Sequence, residues 1–276
     1  MAGGILNRRR YKALYALGTN LLPGTADALA KWVSSGGVLF YEGSPFQDHL
    51  NRPLRTLEGV FGAKSGDVSY EPGYTHVYEI VRHPALDSVV PETAVAAGMP
   101  KAGYDSVYLR VPLRPTTARV LSRFRKDGAP ALTVNRYGSG TAILSGSLLG
   151  CAYMRQSLPE SAWPAYQKLY AVYFPHESSV RGLINLPLKT ARIQPDAWTS
   201  EPIVETNTLT LKDGLLVLLS DYTKTQKTVD LFIRVNGRVK SVRTLKEEVS
   251  KWTVDAGVLH LTVPIDLTQA VRVYLD

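Results

Sequence analysis

Among the side chains able to do acid–base work, Glu42 stands out by position. It follows the apolar run Val38-Leu39-Phe40-Tyr41 and precedes Gly43-Ser44. That puts a carboxylate at the end of a buried strand, in the crevice where α/β folds hold ligands. Cleavage of a glycosidic bond would require a second carboxylate about 5–10 Å away, depending on stereochemical outcome. Asp48 and Glu79 are the candidate catalytic partners, and Glu58 and Glu71 lie in the same region. The plainer alternative makes Glu42 a cap for the turn that follows, or the partner of an arginine such as Arg52.

Other chemistries find less support. Cys151 is the single cysteine, which excludes an internal disulfide framework and any cysteine-based zinc cluster. It reads as an inert buried thiol. The five histidines, His49, His76, His83, His176 and His260, show no HExxH or HxH spacing, so no metal site is expected. His49, beside Asp48, is a weak site candidate. Ser44 and Ser147 lack the GxSxG elbow of serine hydrolases. No glycine-rich nucleotide motif follows a strand, and no cofactor is expected. Fifteen tyrosines and four tryptophans could stack on sugar rings; Tyr74 and Trp163 are the candidate carbohydrate contacts, although most such rings serve cores or interfaces.

The chain has 276 residues, 45% of them apolar and 20% charged, enough for two modest domains or one large one. No apolar run approaches the ~18 residues of a spanning helix, so no membrane partner is expected. The formal net charge is +8, which favours anionic partners. Apart from Arg8-Arg9-Arg10, however, the basic residues are scattered along apparent strands, so nucleic acid is not an expected partner. Arg8-Arg9-Arg10 followed by YKALYALGTNLL faintly imitates a secretory leader, but Lys12 breaks the apolar run and Pro23-Gly24 ends it. The expected location is the cytoplasm.

The elements that must position these groups follow from periodicity. Tyr11–Gly18 and Val38–Tyr41 read as buried strands. Between them Thr25 is an N-cap candidate, and Ala26, Leu29, Ala30 and Val33 keep a helical period that Gly36-Gly37 ends. Strand, helix and strand make a right-handed βαβ unit with parallel strands. Strands are then expected over Tyr74–Arg82, Ser106–Leu113 and Thr141–Ser147. Ala118–Phe124 and Pro130–Tyr137 are expected to form a hairpin across Asp127-Gly128, and Ser161–Phe174 a helix. Residues 1–176 are thus read as an α/β domain, 177–201 as a surface linker, and 202–276 as a small antiparallel β-sandwich. In the last, LTLKDGLLVLLS, VDLFIRVNGRVKSV and KWTVDAGVLHLTV each look like a hairpin.

Read together, Tyr11-Lys12, Thr25–Ser35 with Gly36-Gly37, and Arg136-Tyr137-Gly138-Ser139-Gly140 before TAILSGSLLG show a resemblance. They are similar to the glutamine-amidotransferase-like domain, often called the trimerisation domain, that follows the TIM barrel in one family of β-galactosidases, where a small C-terminal β-sandwich also follows. The resemblance implies a truncated flavodoxin- or amidotransferase-like layered sheet plus an all-β sandwich, without the barrel and its catalytic glutamates. In true amidotransferases the turn after a central strand carries a cysteine; here Glu42 stands near that position. The expectation is therefore a non-catalytic oligomerisation or accessory module that assembles with itself, the missing opening strands leaving an edge to cover. Two alternatives are carried: a compact glycosidase using Glu42, and a carbohydrate-binding module.

Overall fold

The computed structural model describes residues 6, 10–70, 84–92, 103–157, 178–221, 223, 225–245 and 248–276. The expected strand over 74–82 and helix over 161–174 lie outside them, as do Glu71, Tyr74, Glu79 and Trp163. The chain divides into two compact units; among the described residues the first extends through Ile193 and the second begins at Gln194.

The first unit opens with β1 (Ala13–Leu21), α1 (Pro23–Ser34), β2 (Val38–Asp48) and α2 (Arg55–Phe61). Short strands follow: β3 (Ala63–Ser65), β4 (Ser69–Tyr70), β5 (Asp87–Pro91), β6 (Tyr104–Ser106), β7 (Leu109–Arg110) and β8 (Leu113–Pro115). It closes with β9 (Arg119–Phe124), β10 (Pro130–Tyr137), β11 (Gly140–Ser145), α3 (Leu149–Ser157), α4 (Ser178–Ile184) and α5 (Leu186–Thr190).

Among the described residues the main sheet has seven strands, in the order β1-β2-β11-β10-β9-β5-β6. The β1–β2 and β2–β11 pairs are parallel and the rest antiparallel. The sheet is therefore mixed, with parallel pairing confined to one side. Alternation along the central strands buries both faces. Leu39, Tyr41, Ala142 and Leu144 pack with Leu29, Val33, Leu57 and Val60 of α1 and α2. Val38, Phe40 and Ile143 pack with Leu149, Val180, Leu183 and Leu186 of α3, α4 and α5. A strand buried on both faces needs the near-continuous apolar run that β2 has.

Several sequence expectations change. Strand β1, read as buried, lies at the edge of the described sheet with Tyr15 and Leu17 exposed, because no described strand pairs with its outer side. Helix α1 starts earlier than Thr25: Leu22 occupies the cap position without a side-chain cap, and Pro23 lies in the first turn, where the missing N–H costs little. Its end is as expected, with Gly36 at φ 106° and Gly37 N–H donating to the Trp32 carbonyl at 3.1 Å. The stretch read as a single strand over 106–113 is broken into three short ones, β6, β7 and β8, with Tyr108 in left-handed geometry at φ 65°. The stretch 177–201 is not a surface linker, because Val180, Leu183 and Leu186 are core residues of the first unit. Pro187 lies in the first turn of α5, where proline fits.

The second unit contains β12 (Ala197–Thr199), β13 (Val204–Leu211), β14 (Gly214–Asp221), β15 (Lys227–Arg234), β16 (Val239–Thr244), β17 (Trp252–Asp255), β18 (Val258–Ile265) and β19 (Thr268–Leu275). Two four-stranded antiparallel sheets, β12-β15-β18-β17 and β13-β14-β19-β16, enclose one aliphatic core. The β13–β14 and β17–β18 hairpins are as expected; in the latter, Ala256 and Gly257 supply positive φ angles of 46° and 76°. The expected β15–β16 hairpin does not form. The turn at Asn236-Gly237 carries the chain across the core instead, so that β15 pairs with β18 and β16 with β19. Both strands alternate, and each turns its valines inward from an opposite sheet; alternation alone does not tell such a pair from a hairpin.

Candidate functional site

Strand β2 is the axis of the candidate site. Glu42 pairs with Leu17 of β1 on one side and Ser145 of β11 on the other, at the carboxyl ends of the three parallel strands. Its carboxylate is partly buried and accepts hydrogen bonds from the backbone N–H groups of Leu149 and Gly150, in the first turn of α3. Burial nevertheless dominates and pushes its pKa up to about 7.

Around it lies a closed hydroxyl network. The Tyr104 hydroxyl is 2.9 Å from Ser147 Oγ, and Ser145 Oγ donates to the Ser147 carbonyl at 2.8 Å. Burial, with the Glu42 charge adding, pushes Tyr104 up to about 12. The same two causes push the Cys151 thiol up to about 11. A thiol with that pKa is protonated at neutral pH and a poor nucleophile. Neither Tyr104 nor the serines were singled out from sequence as partners of Glu42. They come from β6 and from the end of β11, distant in sequence, and only the sheet order gathers them.

Asp48 does different work. Its Oδ1 accepts from Leu50 N–H at 2.8 Å and Arg52 N–H at 2.9 Å, and its Oδ2 from Arg52 Nε at 2.7 Å. These bonds hold its carboxyl below the usual range. An anion so saturated with donors clamps the 48–52 turn and is poorly placed to shuttle protons. Arg52 thus belongs to Asp48 rather than to Glu42. Glu58 pairs with Lys64 at 3.6 Å. Among the described residues, burial and two backbone amides account for the shift of Glu42, and no second carboxylate acts on it. His49 is exposed. Among the described residues no cluster of three or more acidic, histidine or cysteine side chains could hold a metal ion.

Beside Glu42 the backbone opens a cavity of about 550 Å³. From the pair Gly18–Gly43 to the pair Asn20–Gln47, β2 advances twice as many residues as β1, so Ser44-Pro45-Phe46 form a bulge. A side chain at Gly43 would meet the Gly18 carbonyl at 2.4 Å, and Gly43 has φ 108°. Glycine is therefore required where these two strands touch. The cavity beyond is lined by Asn20, Ser44, Gln47, Asn51, Tyr70 and Tyr108, with apolar walls from Leu17 and Val68.

No helix among the described residues is long and apolar enough to cross a membrane. No family model matches the sequence, and no curated protein matches it. Solved structures do match in fold. A β-galactosidase from Bacillus circulans sp. alkalophilus superposes with TM-score 0.61 at 16% identity, over 95% of this chain and 33% of that one. A GH42 β-galactosidase from G. stearothermophilus gives 0.61 at 17% identity, over 97% and 32%. The α-L-fucosidase isoenzyme 2 from Paenibacillus thiaminolyticus gives 0.61 at 13%, over 98% and 42%. The chain spans about a third of the length of these β-galactosidases. At such identities the likeness is one of fold: these strands and helices make an architecture that also occurs as part of glycoside hydrolase chains.

Proposed function

We propose that this chain is a glycoside-hydrolase-related accessory module that works by assembly rather than by turnover, with an amidotransferase-like first domain. The observation that carries this reading is the state of Glu42. At the elbow where an amidotransferase would hold its thiolate stands a carboxyl group bonded to the first turn of α3, and the nearby Cys151 is kept protonated by burial. Asp48, the sequence-selected second acid that lies within the described residues, is committed to its own turn. A two-carboxylate hydrolysis needs both groups facing one reacting bond.

The assembly half of the reading rests on β1. It is the outermost strand among the described residues and carries Leu17 at 75% and Tyr15 at 42% exposure. An edge strand with exposed apolar side chains favours pairing with another chain unless covered. We assign that role to a second copy of this protein, by analogy with the trimerisation domain that its sequence resembles.

Two measurements test the proposal. Light scattering of the purified protein is expected to give a mass that is a multiple of 30.3 kDa, and Leu17→Lys to reduce it to a single chain. A clean monomer for the unmodified protein overturns the assembly role. A panel of nitrophenyl glycosides is expected to show no turnover. Turnover lost in Glu42→Gln would replace the accessory reading with a compact glycosidase, whose acid would be the carboxyl held near neutrality.

A further inference from the structure

The cavity beside β2 is distinct from the Glu42 network and has the features of a built site. Its volume of about 550 Å³ is that of small-molecule sites. Two of its lining residues, Asn51 at φ 60° and Tyr108 at φ 65°, hold left-handed backbone although neither is glycine. Asparagine adopts this geometry readily, and at Asn51 it belongs to the turn closed by Asp48; for Tyr108 it is costly. The β2 bulge turns Ser44 into the same wall.

The chemistry of the lining narrows the ligand. Asn20, Gln47 and Asn51 are carboxamides, each able to donate and to accept, as sugar hydroxyls also do. Asn20 is already committed: its Nδ2 donates to the Asp48 carbonyl at 2.7 Å and to Asn51 Oδ1 at 3.0 Å, while Thr19 Oγ1 donates to its Oδ1 at 2.9 Å. It is therefore a positioning residue, holding Asn51 toward the cavity. By contrast, no side-chain hydrogen bond among the described residues engages Gln47, Tyr70, Tyr108 or Ser44, and Ser44 is only 4% exposed. The Ser44 hydroxyl is not among the buried groups left without a partner; it lines the cavity, where a ligand can reach it.

The described lining is made of carboxamides, hydroxyls and apolar groups, a set that suits a neutral polar ligand. A wholly apolar ligand would cover the Gln47 amide and the Ser44 hydroxyl without giving either a hydrogen bond. Tyr70 and Tyr108, with Val68, offer apolar surface to one side of a ring. We infer that this cavity binds a neutral pyranoside, its hydroxyls meeting Gln47, Asn51 and Ser44 and one ring face packing on the tyrosines.

This goes beyond the accessory reading and is separable from it. Turnover dependent on Glu42 would overturn that reading and leave the cavity unaffected; failure of pyranosides to bind here would leave the accessory reading standing. The test is an amide chemical-shift titration of the full chain with methyl β-D-galactopyranoside and methyl β-D-glucopyranoside. Sodium gluconate and cyclohexanol serve as charged and apolar comparators. Saturable shifts are expected at Gly18, Ser44, Gln47 and Tyr108 for at least one pyranoside and for neither comparator. Tyr70→Ala and Gln47→Ala, both at exposed positions and so compatible with folding, are each expected to weaken binding about fivefold. The inference is overturned by any of three results: no saturation up to about 100 mM of either pyranoside, equal response to a comparator, or affinity unchanged in both variants.

Discussion

The two units fill their interiors differently. The core of the second is aliphatic throughout, with Val217, Val229, Leu231, Leu259 and Val271 at its centre. The first unit has similar apolar layers above and below its sheet, yet also buries Ser145, Ser147 and the Tyr104 ring beside a partly buried glutamate. Polar atoms placed inside a core must all be satisfied and give less stability for their volume than methyl groups do. Among the described residues, the second unit's buried polar side chains, Asp221 and Gln269, lie toward the ends of β14 and β19, outside its aliphatic core. The first unit instead holds a polar cluster inside, where Tyr104, Ser145 and Ser147 hydrogen-bond one another.

That contrast can be broken at several points. The largest effect is expected in the second unit. Leu231→Ala, at a fully buried position, should lower stability by about 2–5 kcal/mol, read as lost hydrogen-exchange protection in β15 and β18. A loss well under this range would mean that the aliphatic core is looser than its burial implies.

A somewhat smaller effect is expected from Glu42 and pH. The folded protein keeps the Glu42 proton up to about pH 7, whereas the reference carboxyl releases it near 4.5. The folded state thus holds more protons between those values. Its stability is full below about pH 4.5 and falls as pH rises through about 7, by on the order of 3 kcal/mol. Hydrogen exchange of β2 and β11 across pH 5 to 8, corrected for intrinsic rates, should show this decline in the unmodified chain and lose it in Glu42→Gln. Equal profiles for the two proteins would remove Glu42 from the interior. The smallest effect is expected for Tyr104→Phe, which deletes the hydroxyl facing Ser147 and should cost about 1 kcal/mol in the same measurement. A cost equal to that of Leu231→Ala would erase the distinction between the two interiors.

Much of this was readable before the structure. The β1-α1-β2 unit follows from an apolar run, a helical period and the glycine pair. The β9–β10 hairpin follows from Asp127-Gly128, and most of the second unit from its alternation. What stayed hidden has physical reasons. Helices α4 and α5 span 7 and 5 residues, too short for a period to declare itself. The pairing of β15 and β16 depends on which sheet each joins, and alternation is identical in either case. Glu42 was found because a strand end is visible in sequence. Its neighbours Tyr104 and Ser147 were not, because sheet order and not spacing brings them close. Asp48 was read as an acid, although three donors within the next four residues make it a loop clamp.

Strand β2 contributes to both apolar layers and also carries Glu42 and the bulge at the cavity wall. This concentration makes the molecule unevenly tolerant of changes in length. Deleting one residue between Val38 and Tyr41 would exchange the up-facing and down-facing side chains of the whole segment, moving Phe40 and Tyr41 into each other's compartments at once. The same deletion in the Lys126–Gly128 loop would be absorbed within a few ångströms. Lineages of this chain should accordingly accumulate indels along the rim of the first unit while this eleven-residue strand keeps its length.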